Sequence, residues 1–526
     1  MPDAVPDLSA WVAGAAAEHP DAVALVGPEG VETTWADLEQ EVERVARGLV
    51  GLGLVAGHRV GIALGNTREF VAAYLAALRV QAVAVPLNHR ATAEELAGVL
   101  DDAGCRLAMA GPESLDAVRR ARDLLAAEPG VPGVRVLVVG AAAEGDELAW
   151  EALPTSAGDL PGARDPERLA VLLYTSGASG RPKGAMLSHR ALLANVEQVA
   201  AVDPPLIGAD DVVLGLLPLF HVYGLNAVLG ASLHRRARLV LVERYDPEAT
   251  LDVVARHGCT VLPVAPPVFA HWQGEGVAER LTSVRLLLSG SAPLDAGLVA
   301  AFTERTGVPV HQGYGLTEAA PVVTSTLHSR RTDADRLASP RSGSVGAALP
   351  GVELRLVDEG GRTPEQGDPG QVEVRGANLF SGYWPDGAEA PDSEGWWATG
   401  DVGFLDPDGE LFLVDRVKDV VIVSGFNVYP TEVEAVIADV PGIAHVAVIG
   451  VPDEETGEAV VAYVVAPGAD PDRLEAAVQS RCAVRLARFK RPGRIEVVDS
   501  LPLTVTGKVR KGSLRSAERR ERQPLL

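Results

Sequence analysis

A repeated alternation of amphipathic helical stretches with short β-branched runs constrains this chain most. From Trp35 to Leu100 it reads as a helix over ADLEQEVERVARGLVGLG, a strand at HRVGIAL, a helix through FVAAYLAALR and a strand at AVAVPL. The rhythm returns at RLAVLLYTSG, ARLVLVERY, CTVLPVAPP and SVRLLLSGSAPL, the last an apolar strand that runs straight into a turn of small residues. Strands and helices in such alternation build an α/β sheet, and ligands of such sheets sit at the carboxyl ends of the strands. Near Gly351 the pattern gives way to short alternating strands with Gly, Asp and Pro turns, as in GVELRLVDEGGRTPEQGDPGQVEVRG, which predicts an antiparallel subdomain or barrel. After DRVKD the chain starts afresh with VVIVSG, a helix from Pro430 and the strands AHVAVIGV and VVAYVVAP. The expected fold is therefore α/β. A large N-terminal domain of stacked α/β sheets over residues 1–417, with a β-rich subdomain at about 345–417, precedes a small α+β domain over 418–526. Arg515 to Gln523 reads as a charged, solvated tail.

Composition narrows the function. The 526 residues are 47% hydrophobic and 22% charged, enough apolar material for large cores. A formal net charge of −24 argues against a general nucleic-acid or anionic-membrane surface, so a polyanionic ligand has to meet a local basic cluster. The three cysteines, Cys105, Cys259 and Cys482, lie far apart without metal-ligand spacing, which suits a reducing cytoplasm and neither a disulfide framework nor a zinc site. The start, MPDAVPDLSAW, lacks the basic and apolar regions of a secretory signal. Val212 to His234 imitates a membrane span in carrying no Asp, Glu, Lys or Arg, but Pro218, His221, Gly224 and Asn226 interrupt it as a buried core segment tolerates.

Six segments carry chemistry. In Tyr174-Thr-Ser-Gly-Ala-Ser-Gly-Arg-Pro-Lys-Gly184 a buried strand ends in glycines, hydroxyls and a lysine. Such a loop can wrap phosphates, because glycines let amides approach an anion, hydroxyls add donors and Lys183 supplies a point charge. It is not a Walker A loop, since Pro182 stands where that pattern needs glycine. Gln312-Gly-Tyr-Gly-Leu-Thr-Glu318 combines a flat aromatic, two flexible glycines and a Thr-Glu pair: an aromatic can stack on a base, a hydroxyl can reach a phosphate and a carboxylate can hold Mg²⁺. Thr399-Gly-Asp401 is followed by Asp415-Arg416-Val-Lys418-Asp419 and by Ser424-Gly-Phe-Asn-Val-Tyr-Pro-Thr-Glu432. Pro502-Leu-Thr-Val-Thr-Gly-Lys508 presents a lysine after glycine on an exposed loop. The spaced glycines from Gly51 to Gly57 follow a helix and precede a strand, the reverse of a dinucleotide fingerprint, and mark a helix stop.

In order and composition these segments, together with NHRATAEEL near residue 88, LPLFHVYGL at 217 and SGSAPL at 289, resemble the adenylate-forming superfamily of acyl-CoA synthetases, non-ribosomal adenylation domains and luciferases, over nearly the whole chain. The resemblance implies ATP, Mg²⁺ and CoA as cofactor and co-substrates and a carboxylic acid activated as acyl-AMP before thioester formation. By the same resemblance Thr175, Ser176, Gly177, Ser179, Gly180 and Lys183 embrace the pyrophosphate, and Glu318, with Thr317 and Thr175, binds Mg²⁺ and phosphate. Gly313, Tyr314 and Gly315 lie by adenine beside Gly290, Ser291 and Ala292. Asp401 holds the ribose with help from Arg416. Lys508 bridges the attacking carboxylate and the α-phosphate, and His221 borders the acyl or pantetheine channel. The C-terminal domain is implied to be mobile about a hinge at Lys418, exchanging Lys508 for the loop of Ser424, Gly425 and Phe426.

Two departures qualify the match. Ala178 stands where relatives carry a hydroxyl, which leaves open an enzyme competent mainly in thioester formation from supplied acyl-AMP. FHVYGLN offers no Asp for an amino-acid ammonium and GYGLTE no extra cation for a malonate-type acid, so the expected substrate is an apolar monocarboxylic acid, fatty or related. Loading of a carrier protein, a luciferase-like oxidase, a non-catalytic acyl-AMP sensor and a homodimer stay open. Arg235, Arg236, Arg330 and Arg331 are the basic residues suggested for the nucleotide end of CoA.

Overall fold

A computed structural model describes the chain except residues 1–6, 29, 129–132, 155–159, 161–164, 176–181, 291–293, 295, 329–339, 359, 417–418, 424–425, 454–455, 505–506 and 523–526. By packing it divides into two units. The first comprises Met1–Ser342, Gly346–Glu353 and Arg375–Trp397; the second comprises Gly343–Val345, Leu354–Val374 and Ala398–Leu526.

The first unit holds two α/β sheets, as the alternation predicts. One has nine strands, and its six consecutive strands Val310–Gly315, Leu286–Ser289, Val261–Val264, Val212–Gly215, Arg238–Leu241 and Val23–Val26 run parallel. The other has seven strands, in the order Leu148–Ala149, Arg135–Val138, Cys105–Ala110, Arg59–Ala63, Val83–Pro86, Leu169–Thr175 and Lys183–Ser188. Helix starts follow side-chain chemistry. Thr34 and Asp37 form a capping box for Trp35–Gly51, Thr92 and Glu95 do so for Ala93–Asp102, and Asp246 caps Pro247–His257. Gly53, at φ +80°, takes the left-handed turn that ends the first of these. Phe70 to Arg79 is buried on every face, which accounts for its unbroken apolar run, and the one buried cation there, Arg79, donates to both oxygens of Glu39 at 2.7 Å.

Asn66 ties the two sheets together. Just beyond the strand Arg59–Ala63, its Nδ2 donates to the carbonyls of Gly215 and Leu217 at 3.0 Å and of Val242 at 3.2 Å, while its Oδ1 accepts from Leu219 N–H at 2.9 Å. The membrane-like stretch from Val212 is a buried strand, a π-helix over Tyr223–Gly230 and a short helix Ala231–Arg235, and no described helix is long and apolar enough to cross a membrane.

A four-stranded sheet, Val352–Val357, Gly370–Gly376, Trp396–Leu405 and Leu411–Arg416, belongs mostly to the second unit and is followed in the chain by a five-stranded one. The first of these sheets, expected within the N-terminal domain, groups by contact with the C-terminal residues. Only four residues separate Arg416 from the next strand, Val421–Val423, and Thr431 Oγ1 donates back to Val414 O. The expected boundary at Val417–Lys418 lies outside the described residues. In the five-stranded sheet His445–Asp453 and Gly457–Val465 form a nine-pair antiparallel ladder, with Arg494–Val497 parallel to the latter. The region read as a solvated tail is instead mostly helix, Lys511–Arg522, because Glu518, 5% exposed, meets Tyr463 and Arg494 while Arg515 pairs with Asp419 and Lys511 with Glu434.

Candidate active site

Three of the singled-out segments emerge from the carboxyl edge of the nine-stranded sheet, where ligands of such sheets bind. His221 follows the strand Val212–Gly215, Gly290 follows Leu286–Ser289, and Thr317 and Glu318 follow Val310–Gly315. The His221 ring accepts Tyr223 N–H at Nδ1, 3.3 Å away, which leaves the ring proton for Nε2. The Tyr223 ring lies against Gly290 so closely that a Cβ on Gly290 would stand 2.7 Å from Cε1, and burial pushes the phenol's pKa up. Gly224 is required for a similar reason, since its Cβ would meet Pro218 O at 2.3 Å.

The glycines around Tyr314 serve the sheet. A Cβ on Gly313 would meet Thr324 O at 2.9 Å and one on Gly315 would meet Pro321 O at 2.3 Å, so both permit the tight antiparallel return of Val322–Ser325. Tyr314, expected beside adenine, is 7% exposed. The turn Thr317–Ala319 is fixed from three directions: Asn226 donates to Ala320 O at 2.6 Å, Asn378 to Ala319 O at 2.8 Å, and Phe380 N–H to Glu318 O at 2.9 Å. Glu318 is thereby held 8% exposed, with Oε1 accepting from the Tyr383 hydroxyl at 2.5 Å. A buried carboxylate is a fitting donor for a hard cation.

Two antiparallel strands flank the phosphate-loop segment. Thr175 and Lys183 are partners across the ladder of Leu169–Thr175 and Lys183–Ser188, so the strands deliver both ends of the loop to one place. Ser176, Gly177, Ala178, Ser179 and Gly180, between them, lie outside the described residues, as do Ser291 and Ala292. The Lys183 ammonium sits 4.8 Å from the Tyr383 ring centroid and 2.5 Å from Glu389, so Tyr383 links the loop's lysine to Glu318. Tyr383 reaches this point because residues 381–384 pair with the outer strand, Met186 N–H bonding to Gly382 O and Trp384 N–H to Gly184 O.

The second unit carries the remaining residues. Asp401 and Arg416 are register partners on adjacent antiparallel strands, and Asp401 N–H bonds to Thr399 Oγ1 in a turn whose Gly400 has φ +77°. Lys508 closes a tight turn in which its N–H donates to Thr504 Oγ1 at 3.0 Å and its carbonyl accepts from Thr504 N–H at 2.7 Å, with Gly507 at φ +82°. Phe426 is 56% exposed beside a hairpin tip and stacks on Phe489 at 4.8 Å; Ser424, Gly425 and the hinge residue Lys418 lie outside the described residues. Arg235 and Arg236, suggested for CoA, are instead engaged with Ala200 O and Glu18, and Arg330 and Arg331 lie outside the described residues. All three cysteines are free and buried, and no cluster of metal-ligating residues occurs among the described residues.

The sequence reading missed Asn66, Asn226, Tyr383 and Glu389. Each is a single polar residue whose partners are remote in the chain, and a buried Asn in an apolar run, as at Asn226, was the one signal available.

Comparison with known proteins agrees with this geometry. The AMP-binding enzyme family matches residues 12–384, and the AMP-binding enzyme C-terminal domain matches 432–508. The chain is 34% identical to 4-coumarate--CoA ligase 3 of Oryza sativa subsp. japonica, over 93% of this chain and 88% of that protein. It is likewise 34% identical to indoleacetate--CoA ligase of Aromatoleum aromaticum, over 97% of this chain and 98% of that one. The ATP-bound crystal structure of MatB from Rhodopseudomonas palustris superimposes with a TM-score of 0.86 at 34% identity, over 98% of this chain and 100% of that one. Two domain matches and full-length likeness in sequence and fold make this chain a member of the AMP-binding, adenylate-forming enzyme family, an AMP-forming acid–thiol ligase of the acyl- and aryl-CoA ligase group that uses ATP and CoA.

Proposed function

We propose that this ligase activates an apolar monocarboxylic acid bearing an aromatic ring, in two steps, acyl-AMP formation and then thioester formation, to which different residues contribute. The carrying observation is the Lys183–Tyr383–Glu318 chain, in which one tyrosine meets both a lysine that follows the phosphate loop and a buried carboxylate. Lys183 and the hairpin loop hold the β- and γ-phosphates of ATP, and Glu318 with Thr317 and Thr175 holds Mg²⁺, which neutralises phosphate charge when bound. Lys508 supplies the ammonium that stabilises negative charge as the acid's carboxylate attacks the α-phosphate. Asp401 and Arg416 hold the ribose. The CoA thiolate then attacks the acyl-AMP carbonyl, the thioester forms and AMP leaves, with Phe426 and the hairpin tip beside it serving this second step.

The acid's class follows from what surrounds His221. Neither Leu216–Asn226 nor Gly313–Val323 contains Lys or Arg, so a second carboxylate finds no counter-ion there. The half-buried Tyr223 ring against Gly290 offers a flat apolar wall. Relatives named for 4-coumarate and indoleacetate support an aromatic acid over a fatty one.

The test is pyrophosphate release from ATP and Mg²⁺ with cinnamic, arylacetic, benzoic and medium-chain fatty acids, with and without CoA. CoA-dependent turnover fastest with an aromatic acid is expected, and preference for the fatty acids would overturn the substrate assignment. No pyrophosphate with any acid, but thioester from synthetic acyl-AMP, would replace the full reaction by its second half and point to Ala178.

A further inference from the structure

Lys183, the phosphate loop's lysine, is already engaged: Glu389 Oε1 lies 2.5 Å from its Nζ. The segment that brings Glu389 there is built to hold it. Glu389 has a left-handed backbone, φ +59°, which non-glycine residues rarely adopt unless the surroundings impose it. Its carbonyl accepts the Trp397 indole N–H at 2.8 Å. The preceding turn is closed by Tyr383 N–H to Ala388 O and Gly387 N–H to Tyr383 O, both 2.8 Å. Tyr383 is the same residue whose ring meets Lys183 and whose hydroxyl meets Glu318. A fortuitous surface pair requires none of this. The two side chains are nonetheless 42% and 58% exposed, so the pair is wet and a ligand can displace it.

We propose that Glu389 sets the affinity for ATP by standing in for a phosphate: in the nucleotide-free protein its carboxylate occupies the place at Lys183 that a β- or γ-phosphate oxygen takes, and ATP binds by displacing it. This rests on the assignment of Lys183 to the ATP phosphates made above. An exposed pair of this kind is favoured over its open form by a factor of about two to five. A lysine free only that fraction of the time raises the apparent dissociation constant about three- to sixfold. The competition acts on anything that binds through its phosphates and not on adenosine, which has none.

The experiment is equilibrium binding of ATP, inorganic pyrophosphate and adenosine to the full chain and to its Glu389→Gln, Lys183→Ala and doubly substituted forms. Glu389→Gln is expected to tighten ATP and pyrophosphate about three- to sixfold, to leave adenosine unchanged, and to have no effect in the Lys183→Ala background. Glu389→Ala should behave like Glu389→Gln. Unchanged or weaker ATP binding in Glu389→Gln, with Lys183→Ala still costing affinity, overturns the proposal alone. Lys183→Ala binding ATP as well as the unaltered chain removes the phosphate assignment, and the proposal with it.

Discussion

Asn66→Ala removes the side chain that joins the two sheets of the first unit. Four hydrogen bonds go with it: three donated to carbonyls at the ends of the neighbouring sheet's strands and one accepted from Leu219 N–H. Gly215 O keeps a partner in Val242 N–H, but Leu219 N–H loses the acceptor that Asn66 provides, in a place where Asn66 itself is 4% exposed. A buried polar group left unpaired costs about 1–3 kcal/mol. One amide and at least one carbonyl so affected, partly relieved by water entering the vacated space, give a destabilisation of about 3 kcal/mol. In a unit of several hundred residues each kcal/mol moves Tm by roughly 1–2 °C, so calorimetry should show a drop of about 3–6 °C in the transition of the first unit. Because Leu217 and Leu219 lead directly into His221, KM for the acid should rise more than KM for ATP. A Tm within 1 °C of the unaltered protein (roughly the effect of losing one exposed contact) together with an unchanged KM for the acid would refute the view that Asn66 fastens the sheets and positions the acid-side segment.

Three further substitutions probe other links. Lys508→Ala should slow acyl-AMP formation by about 10²-fold or more while thioester formation from synthetic acyl-AMP survives; acyl-AMP formation at the rate of the unaltered chain would remove Lys508 from adenylation. Gly290→Ala places a Cβ 2.7 Å from Tyr223 Cε1, and the overpacking should lower kcat/KM about tenfold, with partial recovery in Gly290→Ala/Tyr223→Ala; failure of the second change to rescue would show that the clash lies elsewhere. The third concerns acid stability. Hydrogen bonds from the Arg119 guanidinium hold the Glu147 carboxyl below the usual carboxylate range. A lowered folded-state pKa gives stability that is complete above the unfolded value of about 4.5 and is lost as pH falls through the folded one. Thermal unfolding below that pH should therefore decline less steeply in Glu147→Gln, and identical slopes would refute the assignment.

The elements of this fold were legible because periodicity is local. The runs HRVGIAL, AVAVPL and RLAVLLYTSG are strands where their β-branched, unbroken apolar composition says so, and the helix stop at Gly51–Gly57 needed only its neighbours. The strand that enters the phosphate loop was legible for the same reason, but the return strand Lys183–Ser188 was not read from the sequence. What was not legible depends on residues brought together over long stretches of chain. Nothing near Tyr383 announces Glu318, and nothing near Glu389 announces Lys183. The charged stretch from Arg515 looked solvated because its partners, Asp419, Tyr463 and Arg494, belong to other elements. The part that the glycines of GYGLTE play in the sheet was not legible either, because it depends on the register of the strand that follows.

The π-helix at Tyr223–Gly230 bears on how such an enzyme diversifies. A π-turn accommodates more residues than an α-turn for the same hydrogen-bonded closure. Losing one residue there can be absorbed by tightening to an α-helix, with the flanking strand and the helix Ala231–Arg235 left in place. Every side chain before the deletion then rotates by about 100° relative to those after it. A change of chain length by one, without any substitution, would thus present a different face to the acid. Descendants of this scaffold can acquire new substrates by insertion and deletion in a segment whose composition hardly changes, and alignments that score identity alone would pass over the event.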